Sequence, residues 1–248
     1  MRAEPPGTAV PQRSANSVGR ALQEWWPSQQ RLLPWRTIHD RYPLVVAEIL
    51  LQQTAAADAA PVWARLITRY SSAADLANAD ASELRDMVAA LGLGTQRSQR
   101  LISAAIAIEG GSERIPGVGE YGSGVVALAV GDLAGPVPVD TNIARIVTRV
   151  WGLRFDRGET RKKRVVIDLT ASILDTATIA TSRLSLLYAL VDFGALVCKS
   201  TSPLCGACPL SEGCSWVPTA SETSRTRAIS AASARPSGGG TASDTSRI

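Results

Sequence analysis

Histidine is nearly absent from this sequence and lysine is scarce: 248 residues contain one histidine, His39, and three lysines, Lys162, Lys163 and Lys199. A single histidine excludes multi-histidine metal sites, and any triad would have to rest on it. Its setting, Thr37-Ile38-His39-Asp40, reads as a polar, solvated loop. Long apolar runs are missing too. No stretch approaches the ~20 apolar residues of a membrane span. The N-terminal MRAEPPGTAVPQRS has no apolar core of the kind a secretory signal needs. An intracellular protein with no membrane partner is expected. Strand-like alternation of useful length is also absent, which leaves an all-α chain.

What is present points towards an anionic partner. Lysine and arginine together number 26 against 22 acidic residues, giving net +4 and a pI near 9.1. That mild excess fits nucleic acid. Almost all the positive charge is arginine, the side chain best suited to phosphate, although a compositional bias towards Arg and Ala would look the same. The length suits one large or two small domains, and 45% hydrophobic residues can bury a sizeable core.

Residues 1–17, rich in Pro, Ser and charge, read as a disordered tail. Helical patterns follow from Val18 to Trp26, from Pro43 to Thr54, from Pro61 to Tyr70, from Ser72 to Asn78, from Ser82 to Leu91 and from Gln96 to Glu109. Glu48 interrupts the apolar run Val45-Val46-Ala47-Glu48-Ile49-Leu50-Leu51. A carboxyl group there is costly unless it is protonated or paired. A general acid/base role and a buried salt bridge to arginine are both open.

The stretch from Ile115 to Arg149 carries most of the chemistry. Ile115-Pro116-Gly117-Val118-Gly119 forms a tight turn for which both glycines are expected to be needed. It opens an apolar helix, Tyr121 to Val130, whose free N–H groups make an anion site. After a Gly- and Pro-rich break, Asp140 opens the helix from Thr141 to Trp151. Asp140 is either a plain N-cap or a positioned catalytic carboxylate. Arg145 and Arg149 share one face of that helix, which either meets phosphate or is simply solvated. Residues 157–164, RGETRKKR, read as a solvated loop and helix start, before helices from Val165 to Leu174 and from Leu184 to Val197.

The four cysteines, Cys198, Cys205, Cys208 and Cys214, are spaced C-x6-C-x2-C-x5-C, and the chain holds no others. Four thiolates in one short loop can enclose a metal centre. A zinc ribbon usually separates two C-x-x-C pairs by ~15–20 residues, so the single compact loop favours one cubane cluster. Residues 217–248 are Ser-, Thr-, Ala- and Gly-rich and read as a second disordered tail.

Together these blocks resemble the helix-hairpin-helix, iron–sulfur DNA glycosylases of the endonuclease III superfamily, with its MutY-type adenine and MIG-type G·T mismatch thymine branches. The resemblance covers about Val18 to Trp216. It is carried by Leu33-Pro34-Trp35-Arg36, by Ala47 to Thr54, by Ile115 to Gly119, by Val139-Asp140-Thr141-Asn142 with Arg145 and Arg149, and by the cysteine spacing. It implies two helical lobes: residues 42–139 as a six-helix lobe, and residues 18–41 with 140–216 as a lobe holding a [4Fe–4S] cluster on Cys198, Cys205, Cys208 and Cys214. Mismatched double-stranded DNA would lie between them, bound by a monomer in the nucleoid, with the target base flipped out.

On that resemblance Asp140 stabilises the sugar cation, Glu48 helps the base leave, and Asn142 holds water or backbone. Gln52, Gln53, Gly117, Gly119, Arg145 and Lys199 would meet DNA. Endonuclease III carries a Schiff-base lysine where this chain has Tyr121, so hydrolysis without strand cleavage is expected. Gln52-Gln53-Thr54 looks MutY-like, whereas Gly92 to Arg97 and Val191-Asp192-Phe193-Gly194 look more like the thymine branch. MutY-type enzymes normally add a C-terminal domain that reads 8-oxoguanine, and only a polar tail follows Cys214 here. Thymine or uracil opposite guanine is the expected target. Adenine opposite guanine or 8-oxoguanine is the alternative, and a non-catalytic DNA-binding protein of the same fold is a third reading.

Overall fold

The computed structural model describes residues 13–178 and 182–216. The expected tails before residue 13 and after residue 216 lie outside them. The described part is all-helical, with no β-strand.

The first helix begins earlier than its apolar pattern suggests. α1 spans Ala15–Trp25, because the Ser14 side chain accepts from the Ser17 N–H and supplies the cap. Arg13 is anchored as well, donating to the carbonyls of Glu212 and Pro209. The N-terminal tail expected to reach residue 17 is thus ordered from Arg13.

Six helices then form one packed set: α2 (Arg41–Leu50), α3 (Ala56–Arg69), α4 (Ala73–Ala77), α5 (Ala81–Val88), α6 (Gly94–Glu109) and α7 (Glu120–Ala129). α6 packs on α4, α5 and α2, while α2 packs on α3 and α7. α3 starts five residues before Pro61 and absorbs it, the alanine-rich segment ahead of the proline being a strong helix former.

The second set is α1 with α8 (Thr141–Trp151), α9 (Arg164–Leu174) and α10 (Arg183–Leu196). α8 buries one stripe, Ile143, Ala144, Ile146, Val147 and Val150, against α9 and α10. Each larger side chain there removes enough apolar surface to stabilise by about 1.5–3 kcal/mol. α10 is buried nearly all round and packs on α1, α7, α8 and α9, joining the two sets. Its Phe193 meets Trp25 edge-on at 5.3 Å.

At Gly194 a Cβ would stand only 2.6 Å from the Asn142 Cβ, so glycine sets how closely α8 approaches α10. Gly124 does the same for α7, where a Cβ would lie 2.2 Å from the Pro136 carbonyl oxygen. That contact seats the Gly- and Pro-rich segment leading to Asp140.

Candidate active site

Asp140 sits at the N-terminus of α8 and serves as its cap. One carboxylate oxygen accepts from the Ile143 N–H at 2.7 Å, and the other accepts from the Asn142 side-chain amide at 2.9 Å. Asn142 is in turn held by Arg145, which donates to its carbonyl oxygen at 2.8 Å. The two readings of Asp140 are therefore compatible: the capping bond fixes the carboxylate in place.

Glu48 comes from the apolar helix α2. None of the ion pairs among the described residues involves it, so the salt-bridge reading of its burial is not realised. Burial, reinforced by the nearby Asp140 charge, raises its pKa from 4.5 to about 7. Gly122 on α7 makes room for it: a Cβ there would lie 3.0 Å from Glu48 Oε2 and 2.8 Å from Val118 Cγ1. Tyr121, also on α7, completes the group. Burial and the charges of Glu48 and Asp140 push its hydroxyl pKa upwards.

Behind these residues stands Asp192 on α10, fully buried and ringed by donors. Arg36 grips it with two nitrogens at 2.5 and 2.7 Å, Arg31 binds it at 2.5 Å, and the Trp26 indole N–H donates at 3.0 Å. Burial alone would raise its pKa, but the bonds from Arg36, Trp26 and Arg31 prevail and hold it at about 2. The Arg36 guanidinium lies 4.8 Å over the Tyr188 ring. Two buried donors in this layer have no partner, Arg36 Nε and the Tyr188 hydroxyl. Burial and then Glu48 push the Tyr188 hydroxyl pKa up to about 12. Sequence reasoning missed this layer. Trp35-Arg36 and Val191-Asp192 were visible as blocks, but their pairing across more than 150 residues was not.

The hairpin meets the expectation at one glycine and corrects it at the other. Gly117 has φ +81, where a side chain is strained. Gly119 has φ −82, and a Cβ there would meet nothing within 4 Å, so the fold does not demand a glycine at this position. Gly119 caps α7 without a side-chain bond, which leaves the first N–H groups of that helix facing open space.

Gln52 and Gln53 divide their roles. Gln52 donates to the Gly117 carbonyl at 2.6 Å and accepts from Arg100 at 2.8 Å, tying α2 to the hairpin. Gln53 is exposed with φ +56. Its loop is held from below by buried Arg97, which donates to the carbonyls of Leu50 at 2.5 Å and Gln52 at 3.2 Å.

Glu48, Gln52, Val118, Gly119, Tyr121 and Gly122 line a cleft of about 1140 Å³. Its other wall includes Arg161, Lys162 and Arg164, so the segment expected to be a solvated loop forms part of the cleft. His39 is exposed as expected, with Nδ1 3.2 Å from the Ala129 carbonyl oxygen.

Arg145, expected to meet phosphate, is instead committed inward: beyond Asn142 it donates to the carbonyls of Cys198 and Gly194, each at 2.8 Å. Arg149 likewise holds the carbonyls of Lys199 at 2.6 Å and Ser200 at 3.1 Å. Both arginines shape the cysteine loop, while the Lys199 side chain stays exposed. Cys198, Cys205, Cys208 and Cys214 all line one cavity of about 210 Å³, closed by Phe193, Leu210 and Trp216. Among the described residues no group of three or more ligand-type side chains is gathered as for a single metal ion. Four thiols spread around one apolar cavity suit a multi-atom cluster better than one zinc ion.

The fold and site define a class. The family model for the HhH-GPD superfamily base excision DNA repair proteins matches residues 46–167, a span that includes Glu48, the hairpin and Asp140. An adenine DNA glycosylase of Mycolicibacterium smegmatis is 33% identical over 79% of this chain and 68% of its own length. A thymine-DNA glycosylase of Aeropyrum pernix is 30% identical over 80% of this chain and 93% of its own. The solved structure of a thermostable thymine-DNA glycosylase superposes with a TM-score of 0.67 at 25% identity, over 81% of this chain and 95% of that one. The chain belongs to the HhH-GPD superfamily of base excision DNA repair proteins. Its enzyme class is DNA N-glycosylase.

Proposed function

We propose that this protein, as a monomer on mismatched duplex DNA, hydrolyses the N-glycosidic bond of thymine or uracil paired with guanine and leaves the strand uncut. The observation that carries the reading is a cleft carboxyl with a pKa of about 7, raised by burial and in part by the charge of a neighbouring carboxylate that is fixed at a helix N-terminus. Cleaving this bond builds positive charge on the sugar, as in glycoside hydrolysis. Asp140, held by the Ile143 N–H and by Asn142, is placed to stabilise that charge and to orient water. Glu48 is half protonated near neutrality and so can give its proton to the departing base. On the resemblance, Tyr121 stands where a Schiff-base amine would be needed for strand cleavage, and the cleft's lysine, Lys162, belongs to the other wall and is paired with Glu159. Asn142 acts by holding Asp140. Gly117, Gly119, Gln53 and Lys199 present backbone or side chain to DNA.

The similarity to thymine-DNA glycosylases over 93% and 95% of those chains supports thymine or uracil as the target. Adenine is the second reading, favoured by Gln52-Gln53-Thr54 and by the similarity to an adenine glycosylase. The cysteine cavity fits a [4Fe–4S] cluster, which would supply a covalent staple for the 198–214 loop through its iron–thiolate bonds.

Single-turnover base release from labelled duplexes holding T·G, U·G, A·G and A·8-oxoguanine, read with and without alkali, tests the reading. Scission of the T·G or U·G strand only after alkali is expected. Scission confined to the adenine strand would replace it with the second reading. Breaks without alkali would contradict hydrolysis as the sole chemistry.

A further inference from the structure

The basic run at residues 157–164 is more than a solvated loop. A 3-10 turn, Thr160–Lys162, and the start of α9 bring Arg161, Lys162 and Arg164 into the wall facing the hairpin and Glu48. Over residues 157–168 five cations meet two carboxylates, so the segment carries an uncompensated positive charge. What pairing exists is loose. Arg161 and Lys162 share one partner, Glu159, at 2.8 and 3.3 Å, with all three side chains about half exposed. Arg164 reaches Asp168 at 2.8 Å while 87% exposed. Exposed pairs of this kind hold weakly and are readily exchanged for a stronger anion. α9 also begins with no side-chain cap.

We infer that Arg161, Lys162 and Arg164 form a second phosphate-binding wall, which grips the strand carrying the extruded base from the side opposite the hairpin. The inference rests on the proposed function, because it needs duplex DNA in this cleft. It also answers a question raised by Arg145 and Arg149. Those arginines are bonded to the cysteine loop, which leaves Lys199 as the exposed cation there, and this segment adds three more in the cleft wall. None of the three side chains touches Glu48 or Asp140 through a hydrogen bond or ion pair, so their part is binding rather than chemistry.

The test uses the full-length protein and a duplex with a non-hydrolysable 2′-fluoro nucleotide opposite guanine. Affinity is measured by fluorescence anisotropy across a salt series. Replacing Arg161, Lys162 and Arg164 together by alanine should weaken binding at low salt at least tenfold. It should also flatten the slope of log K against log [salt] by about 2–3, close to 0.9 per lost phosphate contact. Base release at saturating protein should stay within about twofold of wild type. The charge-conserving pair Arg161→Lys with Lys162→Arg should keep the wild-type slope, and so should Arg65→Ala with Arg69→Ala on α3. A triple variant that binds like wild type, or an α3 pair that flattens the slope equally, overturns the inference while leaving the proposed function standing. A wild-type protein that binds no duplex removes both.

Discussion

The chemistry proposed for this protein turns on a carboxyl group that its fold makes costly to ionise. In the folded chain Glu48 titrates near 7 rather than 4.5, so the native state holds a proton that the unfolded chain has released. The sign follows: stability falls as pH rises from about 4.5 to 7 and is then flat, by up to about 3 kcal/mol. Replacing Glu48 by Gln should raise the melting temperature at pH 8, leave it nearly unchanged at pH 4, and slow base release by roughly 10²–10⁴-fold. In the wild type, base release should fall as pH rises through about 7. Calorimetry at the two pH values and a single-turnover pH profile check both halves. Most of this site is legible in the sequence, because Glu48 in an apolar run, Asp140 ahead of a helix and the hairpin glycines each violate or satisfy a local rule. What was not legible is where long side chains reach. Arg145 and Arg149 have the spacing of a phosphate-facing pair, yet backbone carbonyls of α10 and the cysteine loop take them, and no local pattern announces that.

At the scale of elements, α10 decides the geometry. Its apolar character is plain in the sequence, but its role as the joint between the two helix sets depends on two residues whose partners lie far away. Gly194 allows Asn142, and through it Asp140, to sit close against the helix. Gly194→Ala should destabilise by about 1–3 kcal/mol through overpacking and slow base release while leaving duplex affinity intact. Thermal melts and single-turnover rates separate the effects. Asp192 ties α10 to the Arg31–Arg36 segment. Its folded pKa of about 2 lies below the ordinary 3.8, so its stabilising contribution is present above about pH 4 and is lost as pH falls towards 2. Asp192→Asn leaves two arginines facing a neutral group and should cost about 3–5 kcal/mol at pH 7 in denaturant unfolding. Element positions could be read from periodicity to within a few residues. The exceptions, the start of α1 at Ala15 and Pro61 inside α3, arose where a cap or an alanine-rich segment extended the helix past its apolar stripe.

At the scale of the whole molecule, two walls of different origin enclose one cleft. The hairpin side presents backbone N–H groups and Gln52, and the α9 side presents arginine and lysine. The cysteine cavity lies apart, beneath Arg149 and Trp216. Protein purified without oxygen should be yellow-brown with broad near-visible absorbance, and Cys208→Ser should lose that colour and melt at a lower temperature. A colourless protein holding one zinc would contradict the cluster. No described helix is long and apolar enough to cross a membrane.

The pairing of Asp140 with Glu48 as the agents of base removal is tested most directly by comparing wild type with Asp140→Asn on a labelled T·G duplex. Base release and equilibrium binding should be measured on the same preparation. The account predicts that the variant binds the duplex within about threefold of wild type but releases base at least ~10³-fold more slowly, because asparagine keeps the helix cap and removes the charge facing the sugar. Equal rates of base release in variant and wild type would contradict it.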